Sequence, residues 1–280
     1  MKKAYDDNLQ IKRIIESNKP FFIGRIAGVE LQTAYNKLEG NPNEISANMM
    51  ELENNAGIKV ASNTSLSAYT TKLLEAYDHC THIAEWSGKV FEITGKGQML
   101  VTKRTPHIPK IDAIALEPYY FKESWMEALK GKRILIIHPF ITTIQKQIEK
   151  LKEIFPNRSW FEDCTFSFVK PPLTLAGNHQ GKDWQLHHQQ CLESIKEHTD
   201  YDVALVAAGG YGMLLADFIF TEQKKSVIYV GGALQLFFGI VGKRWFDNKE
   251  IIKLMTDEWV RPDASDKPDH FTKVEKGCYW

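Results

Sequence analysis

The stretch 202–245, DVALVAAGGYGMLLADFIFTEQKKSVIYVGGALQLFFGIVGKRW, reads as two strand-to-helix units in tandem. An apolar run from Val203 to Ala208 breaks at Gly209-Gly210-Tyr211-Gly212 and continues with Met213, Leu214, Ala216, Phe218 and Ile219 at helical spacing. The pattern then repeats: Val227 to Val230, Gly231-Gly232, and a second helix carrying Gln235. Where a parallel strand ends in glycines and opens a helix, unpaired backbone N–H groups and the positive helix end face one crevice, which suits a phosphate. Two such ends side by side suit a diphosphate. The same glycines also serve tight turns and close packing. Leu215 stands where a dinucleotide fingerprint needs its third glycine, and the next strand ends in Gly231-Gly232 instead of a ribose-binding acid, which argues against NAD.

Working outward, two more strand ends carry chemistry. Phe21 to Ile26 reads as a buried strand running into Ala27-Gly28-Val29-Glu30 and a helix with Leu31, Ala34, Tyr35 and Leu38 on one face. Arg25 at the end of this apolar strand is costly to bury without an anionic partner, and Glu30 falls in the helix's first turn. Lys132 to Phe140, KRILIIHPF, is a second clean strand, stopped by Pro139, that places His138 at the edge where open α/β sheets bind ligands. Downstream of the tandem units, Gly242-Lys243-Arg244-Trp245 sets two cations beside an aromatic ring, either as a helix C-terminus or as part of an anion site.

The remaining segments give coarser expectations. Amphipathic helices are expected over 8–18, 44–56, 65–86 and 184–198 and from Ile141 to Phe155, with Trp125, Met126 and Leu129 on a further helix. The region 88–104 is mixed, with a strand around Met99 to Val101, and short strands are expected at 111–116 and 162–170. The polar run 176–183 reads as a mobile loop, His179, His187 and His188 as solvated surface with no metal spacing, and the aromatic end at Tyr279-Trp280 as docked on the domain.

Composition bounds the function. The 280 residues are 43% hydrophobic and 25% charged, ordinary for a globular chain. Its 35 basic and 35 acidic side chains balance to +0, which argues against a general nucleic-acid binder. Acidic residues near the N-terminus stand where a signal peptide needs its apolar segment, and the longest apolar run, Ala233 to Val241, is far short of the ~20 residues of a membrane span. Cys80, Cys164, Cys191 and Cys278 are scattered without a CxxC pair, as expected of free thiols in a reducing cytoplasm.

In sequence order, strand-Arg25-x-x-x-x-Glu30, KRILIIHPF, Ala208-Gly209-Gly210-Tyr211-Gly212 and GGALQLFFGI followed by GKRW resemble bacterial polysaccharide-biosynthesis proteins of the GT-D glycosyltransferase type, over most of the chain. The resemblance implies a Rossmann-like sheet and transfer of a hexose from a sugar nucleotide to a glycan or glycolipid acceptor. Such proteins carry Arg-x-Gly-Asp-Gly-Glu, whose acids are associated with a divalent metal. Here Arg25 and Glu30 match, but Gly28 replaces the aspartate. One carboxylate is a poor divalent site, so no residue is assigned to metal, and Mn²⁺ or Mg²⁺ would rely on water and donor phosphates.

The expectation is therefore a single α/β domain over 1–280, with a mostly parallel, Rossmann-like sheet covered by helices on both faces. The donor site would comprise Arg25, Gly209, Gly210, Tyr211, Gly212, Gly231, Gly232, Gln235, Lys243 and Arg244, with Glu30 and His138 as candidate catalytic groups. The alternative is a non-catalytic partner that binds a nucleotide or glycan on a degenerate transferase fold.

Overall fold

The structure, a computed structural model, describes residues 1–40 and 42–280. Seven strands form one sheet: β1 (Phe22–Arg25), β2 (His82–Glu85), β3 (Lys110–Asp112), β4 (Arg133–Ile137), β5 (Thr165–Val169), β6 (Val203–Val206) and β7 (Ser226–Tyr229). Their order is β3-β2-β1-β7-β6-β4-β5, and every pairing is parallel. The fold is α/β and Rossmann-like, as expected. Parallel strands are buried on both faces and read as unbroken apolar runs, which is why VALVAA, SVIYV and RILII stood out.

Successive side chains along each strand enter opposite cores. Ile23, Ile134, Ile136, Val203, Leu205 and Ile228 pack on one face with Ile11 and Ile15 of α1 (Lys2–Glu16) and with Ile141 and Ile144 of α6 (Ile141–Ile148). Phe22, Leu135, Ile137, Ala204, Val206 and Val227 pack on the other, against α2 (Val29–Glu39), α4 (Asn63–Asp78), α5 (Gly88–Arg104), α8 (Trp184–Lys196) and α9 (Gly212–Thr221). The helix α3 (Pro42–Asn55) lies against α2.

Several expectations need correction. The apolar spacing of 65–86 continues to Ile83, yet α4 ends at Asp78 and Ile83 belongs to β2. A strand there completes hydrogen bonding along β1, with the Thr81 N–H donating to the Phe22 carbonyl at 2.9 Å and Ile83 paired with Gly24. Residues 88–104 form one helix with no strand at Met99 to Val101. Gly97 weakens the local helical signal, but a Cβ on it would strike Leu31, so the glycine permits close approach of α5 to α2. The apolar stretch 141–155 divides into α6 and α7 (Leu151–Ile154), and 111–116 is strand only to Asp112 before a 3₁₀ turn over Ala113–Leu116. Trp125–Leu129 and the second tandem unit, Gly232–Phe238, are 3₁₀ turns as well.

The polar run 176–183 is tied down, and His179 within it and His187 beyond it are buried, where solvated surface was expected. His179 Nε2 lies 2.5 Å from Glu53 Oε1 of α3, and His187 Nε2 lies 3.0 Å from the His179 carbonyl oxygen. Such partners offset the cost of burying a ring nitrogen. At the other end of the chain Trp280 is buried, its indole N–H donating to the Asp266 carbonyl at 3.3 Å, so the aromatic tail packs on the sheet's first face. The four cysteines are free thiols. Among the described residues, no helix is long and apolar enough to cross a membrane.

Candidate functional site

The chain diverges after two neighbouring strands. Beyond β1 it enters α2, whose Leu31 joins one core, whereas beyond β7 it enters Gly232–Phe238, whose Leu234 and Phe237 join the other. Such a switch point opens a crevice outside the carboxyl ends of the strands. A cavity of about 660 Å³ lies there, lined by Arg25, Glu30, His138, Gly209, Gly231, Gly232, Gln235 and Arg244 from the expected set. It does not include Gly210, Tyr211, Gly212 or Lys243.

Gly210, Tyr211 and Gly212 of the first glycine run are occupied otherwise. The loop after α3 meets the first glycine run: the Gly210 N–H donates to the Ala56 carbonyl at 2.8 Å, and the Tyr211 hydroxyl donates to the Gly57 carbonyl at 3.3 Å. Tyr69 OH donates to the Gly210 carbonyl at 2.9 Å, and a Cβ on Gly212 would collide with the Tyr229 ring. Lys243 is exposed outside the cavity. Most of the first glycine run is therefore packing, which corrects its assignment as half of a phosphate cradle.

The second run is different. Gly231 has φ +73°, a left-handed conformation, and a Cβ there would fall on the Arg25 guanidinium. Glycine is required on both counts. Arg25 is half-buried between rings, its Cζ 5.3 Å from the Trp86 centroid and 5.7 Å from that of Tyr229. Its Nε is buried without a hydrogen-bond partner, and among the described residues Arg25 takes part in no ion pair.

Arg244 supplies the second cation. Its Cζ stands 5.0 Å from the Tyr279 centroid and 5.6 Å from that of Trp245, and its Nη2 is 3.2 Å from Glu275 Oε2. About 40% of the side chain is exposed, so this ion pair is weak and exchangeable for a ligand anion.

Besides Glu275, two more carboxyls act on these cations. Glu30 is buried in the first turn of α2, and desolvation pushes its pKa above the ordinary carboxylate range, with nearby backbone N–H groups and the charge of Arg25 opposing. Glu117 was not picked out from sequence. It follows the 3₁₀ turn after β3, accepts a 2.5 Å hydrogen bond from Tyr119 OH, and is likewise raised by burial against the pull of Arg25 and Arg244. The available signal was an acid between the apolar run Ile114 to Leu116 and Pro118. Trp86, Tyr229, Glu275 and Tyr279, also lining the cavity, gave no local signal.

His138 is 1% exposed, and burial lowers its pKa to about 3. Its Nδ1 accepts the Phe140 N–H at 2.9 Å, which leaves the proton on Nε2. With Nδ1 occupied and Nε2 protonated, the ring is arranged to donate a hydrogen bond, not to abstract a proton. Among the described residues, no three His, Cys, Asp or Glu side chains converge as a metal set, and a Cβ at Gly28 would meet nothing within 4 Å.

Comparison with family models, with curated proteins and with solved structures gives no match for this chain.

Proposed function

We propose that the protein is a glycosyltransferase that moves a hexose from a sugar nucleotide to a glycan or glycolipid acceptor. The observation that carries this reading is Arg25: a half-buried guanidinium with no ion-pair partner among the described residues, at the switch point of a parallel sheet and in the same cavity as Arg244. An arginine so placed suits an anionic ligand, and two of them suit a diphosphate.

In the reaction, the acceptor oxygen bonds to the anomeric carbon as that carbon's bond to the diphosphate oxygen breaks. The acceptor proton passes to the Glu30 carboxylate. Desolvation makes Glu30 a stronger base than an exposed carboxylate, which moves it toward the operating pH. Arg25 and Arg244 offset the charge that develops on the leaving nucleoside diphosphate. A divalent ion, where used, would be held chiefly by water and the donor phosphates.

One observation favours the non-catalytic alternative: with Gly28 in place of an acid, Glu30 is the only carboxylate at the start of α2. The two readings separate in one experiment. A thermal-shift screen of nucleotide sugars with and without Mn²⁺, followed by assay of released nucleoside diphosphate, should give both stabilisation and release. Stabilisation without release in the presence of glycan acceptors would favour the binding partner; no stabilisation by any nucleotide or nucleotide sugar would overturn both.

A further inference from the structure

The polar lining of the crevice is not all cationic. Two of its lining side chains, His138 and Gln235, are each 1% exposed, and each has one buried polar atom without a protein partner: His138 Nε2 and Gln235 Oε1. Their roles are fixed by what the other atoms do. Because His138 Nδ1 accepts the Phe140 N–H at 2.9 Å, Nε2 is a donor. Because Gln235 Nε2 donates to the carbonyls of Ile240 at 3.1 Å and Tyr279 at 3.2 Å, Oε1 is an acceptor. Phe140 and Trp280, 5.7 Å apart edge to face, line the same cavity.

We propose that the part of the crevice lined by His138 and Gln235, with one neutral donor, one neutral acceptor and aromatic walls, is the subsite for an uncharged hydroxyl-bearing sugar, so that the group transferred is a neutral hexose and not a uronic acid. The assignment rests on the transferase reading above. A hydroxyl both donates and accepts, and so matches His138 Nε2 and Gln235 Oε1. An ionised carboxylate only accepts. It would face the Gln235 oxygen without a compensating charge, since His138 stays neutral until the pH approaches about 3. The cations that would hold a carboxylate, Arg25 and Arg244, are engaged by the diphosphate in this reading.

The test uses calorimetry on the full chain with UDP, UDP-glucose and UDP-glucuronate, and with GDP, GDP-mannose and GDP-mannuronate. His138→Asn retains an acceptor for the Phe140 N–H but removes the atom at Nε2; His138→Gln restores an amide donor near that position. Thermal melts confirm that each variant is folded before titration.

The native protein should bind a neutral sugar nucleotide at least 10-fold more tightly than its uronate counterpart. His138→Asn should weaken the neutral sugar nucleotide by roughly 3- to 10-fold, the range of one lost hydrogen bond, leave the free diphosphate unchanged, and be partly rescued in His138→Gln. Equal or tighter uronate binding by the native protein overturns the proposal, as does a folded His138→Asn with unaltered sugar-nucleotide affinity. Equal losses for UDP and UDP-glucose, or for GDP and GDP-mannose, would move His138 to the nucleotide and also overturn it. These outcomes leave the transferase reading standing; binding of none of the six probes would remove both.

Discussion

The two glycine junctions of the sheet look alike in sequence and are put to different uses. At the end of β6, Gly210 and Gly212 are filled by what lies opposite: Ile58 and Tyr69 against one, Tyr229 against the other, with the Gly210 N–H already given to Ala56. At the end of β7, Gly231 and Gly232 border the crevice, and the absence of a side chain on Gly231 makes room for the Arg25 guanidinium. A glycine after a parallel strand thus marks only a place where the backbone must be approached closely. Whether core packing or a side chain bordering the crevice makes that approach depends on the element across from it.

This contrast can be broken by substitution. The largest expected effect is on chemistry beside the second junction: Glu30→Gln should retain donor affinity while lowering turnover by roughly 10²-fold or more, the range of a lost general base. Near-native turnover in initial-rate assays would remove Glu30 from the mechanism. Next comes charge. Arg25→Ala should weaken nucleotide-sugar binding by about 10- to 100-fold, as expected for charge-assisted hydrogen bonds, and Gly231→Ala should do the same indirectly by displacing Arg25. If calorimetry finds Gly231→Ala folded with native affinity, the two junctions are equivalent after all.

At the first junction the effect should fall on stability. Gly210→Ala overpacks against Ile58 and Tyr69, with an expected cost of about 1–3 kcal/mol in denaturant unfolding and no change in affinity for molecules that remain folded. An affinity loss larger than the stability loss would return Gly210 to the binding site.

The pH dependence of stability sharpens the comparison from the carboxyl side. The raised pKa of Glu30 means that its protonated form is favoured in the folded chain, so its contribution is complete below the ordinary carboxylate pKa and is lost as pH rises through the raised one. Glu30→Gln should therefore be more stable than wild type at pH 8 and similar to it at pH 4, measured by thermal melts. A variant less stable at pH 8 would show that the ionised carboxylate is held by its surroundings. The smallest effect is expected at Lys243, exposed and outside the crevice: Lys243→Ala should change stability by less than ~0.5 kcal/mol and leave affinity alone, whereas Arg244→Ala should weaken binding.

The buried parallel strands and the chemistry at their ends are legible in the chain alone. Runs such as RILII and VALVAA are apolar without alternation because both faces of the sheet are covered, and a charge or glycine ending such a run is visible for the same reason; hence Arg25, His138 and Gly231 were legible. Helical periodicity served well where one face meets a core and failed where phase alone carried it, as at Ile83, or where a glycine stood for close helix contact, as at Gly97. Tertiary structure alone decided the order β3-β2-β1-β7-β6-β4-β5, which makes β1 and β7 neighbours and brings Glu117, Trp86, Tyr229 and Tyr279 to Arg25 from distant parts of the chain. It also decided that the loop at Ala56 fills the first glycine junction and that the Phe140 N–H turns His138 into a donor. Local sequence records what each segment can bury, but a site made from the ends of several strands depends on which strands become neighbours, and those contacts lie far apart in the chain.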